Sequence, residues 1–158
     1  MIEGTPPRVV FDCMVFLQAT ARPEGPAARL FVEFVEGGRL ALYVSDTIMD
    51  EVRDVLGRSR IRSKNPTITD ATVEAFCTRV LQSAHCLEVV PTSMTLPRDP
   101  NDEPYLNLAI ASAADYLATR DNDMLDLMKD AEFRSRYPRL TILDPVALIR
   151  TLEQPGQS

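Results

Sequence analysis

The chain is poor in the side chains that build the commonest metal and nucleophile sites. It has one histidine, His85, in 158 residues. A histidine-rich zinc site is therefore excluded, and a Ser-His-Asp triad would have to use that one residue. Its three cysteines, Cys13, Cys77 and Cys86, have no metal-ligand spacing, and an odd number cannot complete a disulfide framework. An intracellular protein is the simplest expectation. No apolar run approaches the roughly 20 residues that span a bilayer. The opening MIEGTPP has neither the basic nor the apolar region of a signal peptide, so the expected location is cytoplasmic, with no membrane partner. Positive charge is scarce as well: 17 Lys+Arg against 23 Asp+Glu leave a net charge of -6. That argues against a broad basic surface for DNA, but is compatible with a local groove holding a cation. Solubility alone also accounts for such a charge.

Apolar content of 45% and charged content of 25% are those of an ordinary globular domain with a proper core. The pattern reads as a lead over 1–7, one domain over 8–151 and a tail over 152–158. RVVFD opens with a continuous apolar run, as in a parallel strand covered on both faces. Helical spacing follows over 26–36, with Ala27, Leu30, Phe31, Phe34 and Val35 inward and Gly37 and Gly38 as the stop. LALYVS, 40–45, is a second strand. TIMDEVRDVL is a helix with Ile48, Val52, Val55 and Leu56 on its buried stripe, capped by Ser45 or Asp46. Residues 58–68 read as a basic, polar segment. A helix to about 84 puts Val73, Phe76, Cys77, Val80 and Leu81 on one side and His85 at its end. CLEVVP is a third strand. A Pro-, Asp- and Asn-rich turn leads into a helix over about 102–113, with Leu106, Ala109, Ile110 and Ala113 inward. DYLAT and LTIL are further strands, and a C-terminal helix closes the chain. Alternating strands and helices predict a three-layer α/β/α sandwich with a mainly parallel sheet.

Acidic residues fall at informative places in this order. Asp12 ends the first strand, Asp121 follows DYLAT, and Asp102 begins a helix. Ligands of parallel α/β folds bind outside the carboxyl ends of the strands, so Asp12 and Asp121 are expected on one edge. Glu51 lies beside the apolar stripe of its helix and can point along that edge. Simpler readings stand beside these: Asp102 as a helix cap, Glu51 as an exposed helix residue. Asp12 is hardest to explain so, because an unpaired carboxylate beside an apolar core is costly. Grouped carboxylates repel, and Mg²⁺ or Mn²⁺, which prefer oxygen ligands, relieve that repulsion.

The ordered blocks RVVFDCMVF, SDTIMDEVRDVL and LPRDPNDEPYLNLAIASAADYLATRDNDML resemble PIN-domain proteins. The likeness is strongest to the bacterial, VapC-like members that act as toxins of toxin–antitoxin systems, and it runs from Arg8 to about Leu148. The resemblance implies the same α/β/α fold and a ribonuclease dependent on Mg²⁺ or Mn²⁺. Asp12, Glu51, Asp102 and Asp121 match the four acids of the family, Asp123 a further acid and Asp99 an accessory one. Thr119 matches the hydroxyl residue that arranges the site. It further implies that Asp12, Asp102 and Asp121 hold metal and that Glu51 binds metal or orients the attacking water. Hydrolysis would not use the 2′-OH as nucleophile and would leave 5′-phosphate and 3′-hydroxyl ends. Arg58, Arg60, Arg62 and Lys64 are the first candidates to guide the RNA backbone, with Arg29 and Arg120 behind them; solvated faces or ion pairs are the alternative for each arginine. A homodimer and an antitoxin partner are also implied. The stripes at Phe31/Phe34 and Ile48/Val52/Val55 are read as core, with a dimer surface as the alternative.

Residue 14 departs from the pattern, which is Asp, a small residue, then Asn or Ser. Met14 is a weak acceptor, no donor, and a poor ligand for a hard cation. Loss of polar support beside a metal site costs about 10–100-fold in affinity or activity. The competing function is therefore a weakly active or inactive PIN module used in binding or assembly. A receiver-like phosphoryl acceptor is a third reading, disfavoured because LTILDP lacks the lysine it needs.

Overall fold

The computed structural model describes residues 5–96 and 100–154. Its five strands are β1 (Arg8–Phe11), β2 (Ala41–Ser45), β3 (His85–Leu87), β4 (Tyr116–Ala118) and β5 (Thr141–Leu143). They form one parallel sheet in the order β3-β2-β1-β4-β5. Val9, Val10 and Phe11 are all buried. Successive strand residues point to opposite faces, so both faces of β1 are covered. That is the sandwich the sequence predicts.

The helices are α1 (Cys13–Ala21), α2 (Pro26–Arg29), α3 (Asp46–Gly57), α4 (Ser59–Lys64), α5 (Asp70–Ser83), α6 (Glu103–Ala111), α7 (Asn122–Leu125), α8 (Ala131–Arg136) and α9 (Pro145–Glu153). Pro at the start of α2 and α9 suits a position whose N–H has no intrahelical partner. Ser45 accepts from the Ile48 N–H and caps α3, as expected, and Thr69 and Thr72 form a reciprocal capping box on α5. Phe31, Phe34, Ile48 and Val52 are core, not a surface.

Several expectations need correction. The segment 13–21, assigned no element from the sequence, is α1. Four of its residues, Val15, Phe16, Leu17 and Ala19, are buried, so its sequence shows no polar face from which to read a helical period. Residues 59–64, read as a polar segment, form α4, which buries none of its residues. The helix expected over 26–36 widens after α2 into a π-helix, Leu30–Val35. The extra residue per turn keeps the adjacent pairs Leu30–Phe31 and Phe34–Val35 buried together. The third strand stops at Leu87 instead of Pro91. It pairs only with β2, and Ser45↔Leu87 is the final register pair; beyond it β2 has turned into α3, and Val89 is 80% exposed. His85 starts β3 rather than ending a helix, its ring stacked on Tyr43 at 4.9 Å. Leu81 faces outward. Ala113 lies outside α6, exposed, with φ 53°.

Candidate active site

β1 is central, with β2 on one side and β4 on the other. The chain leaves β1 in opposite directions, so the β1/β4 boundary is the topological switch point, outside whose carboxyl ends sheets of this kind bind their ligands. Asp12 and Asp121 follow these two strands.

Asp12 is 3% exposed. Its Oδ1 accepts the Val15 N–H at 3.0 Å and caps α1, a structural task that explains part of its position. Its Oδ2 accepts a hydrogen bond from the Thr119 hydroxyl. The same Thr119 oxygen accepts the Asp121 N–H at 3.0 Å. Asp121 in turn caps α7, its Oδ1 accepting the Asp123 N–H at 2.8 Å and the Met124 N–H at 3.2 Å. One buried hydroxyl thus ties two acidic loops together. Burial pushes the Asp12 carboxyl up from 3.8 to about 6; hydrogen bonds from Thr119 and Val15 oppose this, and the negative charge of Asp121 adds to it.

A second group adjoins the first through Cys13, the next residue in the chain. Tyr105, 1% exposed, lies in the first turn of α6, and its hydroxyl comes close enough to Cys13 and Glu51 to interact with both. Neither makes a well-formed hydrogen bond to it, although the hydroxyl is buried. Burial first, then the nearby Cys13 and Glu51, raises the Tyr105 phenol above its ordinary range. Burial likewise pushes the Cys13 thiol up to about 11, despite Arg58 and a contact with Tyr105 that act the other way. Cys13 is therefore a neutral thiol, unsuited to nucleophilic attack. Tyr105 and Cys13 escaped the sequence reading as a pair. The available signal was a lone phenol three residues after Asp102, on the same side of a helix.

Asp102 occupies the N-cap position of α6 without capping it, so the simple cap reading fails; its Oδ2 is buried. The far end of α6 is held where β1 begins, by the Arg8 guanidinium donating to Ser112 O at 2.9 Å. Asp102 consequently lies toward the carboxyl ends of the strands. Glu51, in α3, is half-buried and reaches the same region through Tyr105. Met14 is 48% exposed in the first turn of α1. Asp99 lies outside the described residues. Of the basic candidates, Arg58 pairs with Asp54 at 2.8 Å and Arg62 with Asp70 at 2.7 Å. Arg60, Lys64 and Arg120 are exposed, while Arg29 is held by Glu33 and Glu153.

Among the described residues, no three acidic, histidine or cysteine side chains form a ready-made metal cage. The donor set nevertheless fits a hard divalent cation: its charged donors are carboxylates, and one of them is held where its ionised form is costly.

A parallel α/β sheet with two linked carboxylates, Asp12 and Asp121, at its switch point defines a class suited to phosphoryl chemistry. Within that class, the family model described as PIN domain matches residues 8–123, and the chain belongs to the PIN-domain family, a nuclease fold. No curated protein matches the sequence.

Proposed function

We propose that the chain is an endoribonuclease dependent on Mg²⁺ or Mn²⁺, of the kind that serves as the toxin of a toxin–antitoxin pair. The observation that carries this reading is the buried Asp12–Thr119–Asp121 linkage at the switch point. Asp12, Asp102, Asp121 and Glu51 would hold the cation, with Asp123 as a further acid beside Asp121. When bound, it supplies charge neutralisation at the phosphate and a more acidic water. The protein's own groups do the rest. Thr119 fixes the rotamer of Asp12 by donating to Oδ2, and the α7 cap fixes Asp121. Glu51, at the edge of the set, also orients the attacking water. The exposed Arg60 and Lys64, with Arg58 nearer the site, steer the phosphate backbone. An antitoxin and a second copy of the chain are partners under this proposal.

The test is cleavage of end-labelled RNA with Mn²⁺ and with chelator. The expected products carry 5′-phosphate ends, and Asp12→Asn and Asp121→Asn lower the rate by more than about 100-fold, the scale for losing a preorganised electrostatic group. Cleavage that persists in chelator or in D12N would overturn the reading.

Exposed Met14 beside Asp12 favours a second reading, a PIN module with weak turnover. On that reading Met14→Asn, which restores a polar side chain, raises the Mn²⁺-saturated cleavage rate by about 10-fold. Equal rates for the two forms would remove this role from Met14.

A further inference from the structure

Tyr105 is built as if its hydroxyl mattered. The ring is 1% exposed and packed in the core, a position where phenylalanine would fill almost the same space. The hydroxyl adds nothing to that packing and lacks a well-formed hydrogen bond. A buried hydroxyl left unsatisfied is destabilising, so the fold alone gives no reason for a phenol here.

Three elements converge on that oxygen. Cys13 comes from the first position of α1, Glu51 from α3 and Tyr105 from the first turn of α6. These helices touch: α3 packs against both α1 and α6. Cys13 is covalently next to Asp12, and Tyr105 follows Asp102 by three residues. The phenol and the thiol both carry hydrogen, and only the Glu51 carboxylate is an acceptor without a hydrogen of its own. The hydrogen-bond direction is thereby set: Tyr105 donates to Glu51, and the Cys13 S–H can donate to the Tyr105 oxygen. The present contact is loose.

We propose that Tyr105 is a positioning residue whose buried hydroxyl donates to the Glu51 carboxylate and fixes the orientation of Glu51 when the site engages a divalent cation. The role rests on the nuclease reading above. It extends the site from the carboxylates to the hydroxyl that aims one of them. It also gives α6 a second task, since the helix that presents Asp102 would orient Glu51 across the α3–α6 contact.

The test is Mn²⁺ binding by calorimetry on wild type, Tyr105→Phe, Glu51→Gln and the double variant, with RNA cleavage measured alongside. Circular dichroism and the unfolding midpoint without metal establish that each variant folds; Y105F, which only deletes the unsatisfied hydroxyl, should be at least as stable as wild type. The expected result is a Y105F affinity for Mn²⁺ weakened by about 10-fold, the lower end of the range for groups that support metal ligands. Its maximal cleavage rate should fall while KM for RNA holds. The same substitution should have no further effect in the E51Q background, because the hydroxyl acts through Glu51. Y105F binding Mn²⁺ and cleaving RNA like wild type would overturn the role while leaving the nuclease reading intact. So would an undiminished Y105F effect in E51Q, which would show that the hydroxyl acts elsewhere. A wild-type protein that binds no Mn²⁺ would bring down the nuclease reading and this role with it.

Discussion

Asp12 carries two demands that oppose each other. It caps α1 and anchors Thr119, yet burial raises its carboxyl to about 6. Because the folded-state value lies above the ordinary one, the native protein holds the proton more tightly between the two. Stability without metal therefore falls as pH rises through that window, and the penalty is complete above it. Asparagine keeps one oxygen to cap α1 and carries no charge; its amide nitrogen takes the place of the oxygen that accepts from Thr119, whose hydroxyl can turn to accept instead. In chelator, D12N is expected to be more stable than wild type by about 1–3 kcal/mol above roughly pH 7. The advantage should fade toward about pH 4, as the wild-type carboxyl becomes protonated in both states. Urea unfolding across that range checks this, and a pH-independent difference would contradict it. The same residue would then be a stability cost retained for function.

At the scale of elements, α6 is held at both ends for different reasons. Its carboxyl end closes in a Schellman arrangement, the Ala114 N–H donating to Ala109 O at 2.9 Å and the Ala113 N–H to Ile110 O at 3.1 Å. The left-handed residue this requires is Ala113, at φ 53°, where a Cβ costs about 1–2 kcal/mol. Glycine removes that strain but loses more freedom on folding. The expected net gain for Ala113→Gly is about 0.5–1 kcal/mol in the urea midpoint analysis, with no loss of packing because the side chain is exposed. At the other end, Glu103 accepts the Leu96 N–H at 2.6 Å, and the buried Asn107 accepts those of Ser93 and Met94 at 3.0 and 2.8 Å. These bonds tie the incoming chain to the helix that carries Asp102 and Tyr105. Ala113→Gly should leave RNA cleavage unchanged, since it lies at the opposite end of α6 from the acids.

For the whole molecule, strand order matters more than any single element. Had β4 added beside β3, Asp121 would lie at the sheet margin and Thr119 could not reach Asp12. Insertion of β4 against β1, with Phe11↔Ala118 as the last register pair, brings the following residues within one hydroxyl of each other. The net charge of -6 coexists with the basic α4, so any attraction for phosphate is local and falls with added salt. None of the described helices is long and apolar enough to cross a membrane.

Much of this was legible in the order of the residues. Continuous apolar runs ended by turn residues marked the strands of a parallel sheet, and Asp12, Asp102 and Asp121 stood out because they occur where helices or strands end. What was illegible has physical causes. The helix α1 hid because burial on many sides erases the polar half of its period. The early end of β3 is set by its partner β2, which no local signal in CLEVVP contains. Asp12 was legible as a costly carboxylate but not as a cap with Thr119 on its other oxygen, and Tyr105 was assigned no role. The sequence by itself determined which segments become strands and helices and where the acids fall along them, because propensity and apolar pattern act over a few residues. Only the tertiary structure decided that α1, α3 and α6 enclose the Tyr105 hydroxyl between Cys13 and Glu51, because that meeting depends on strand order and helix packing between residues far apart in the chain.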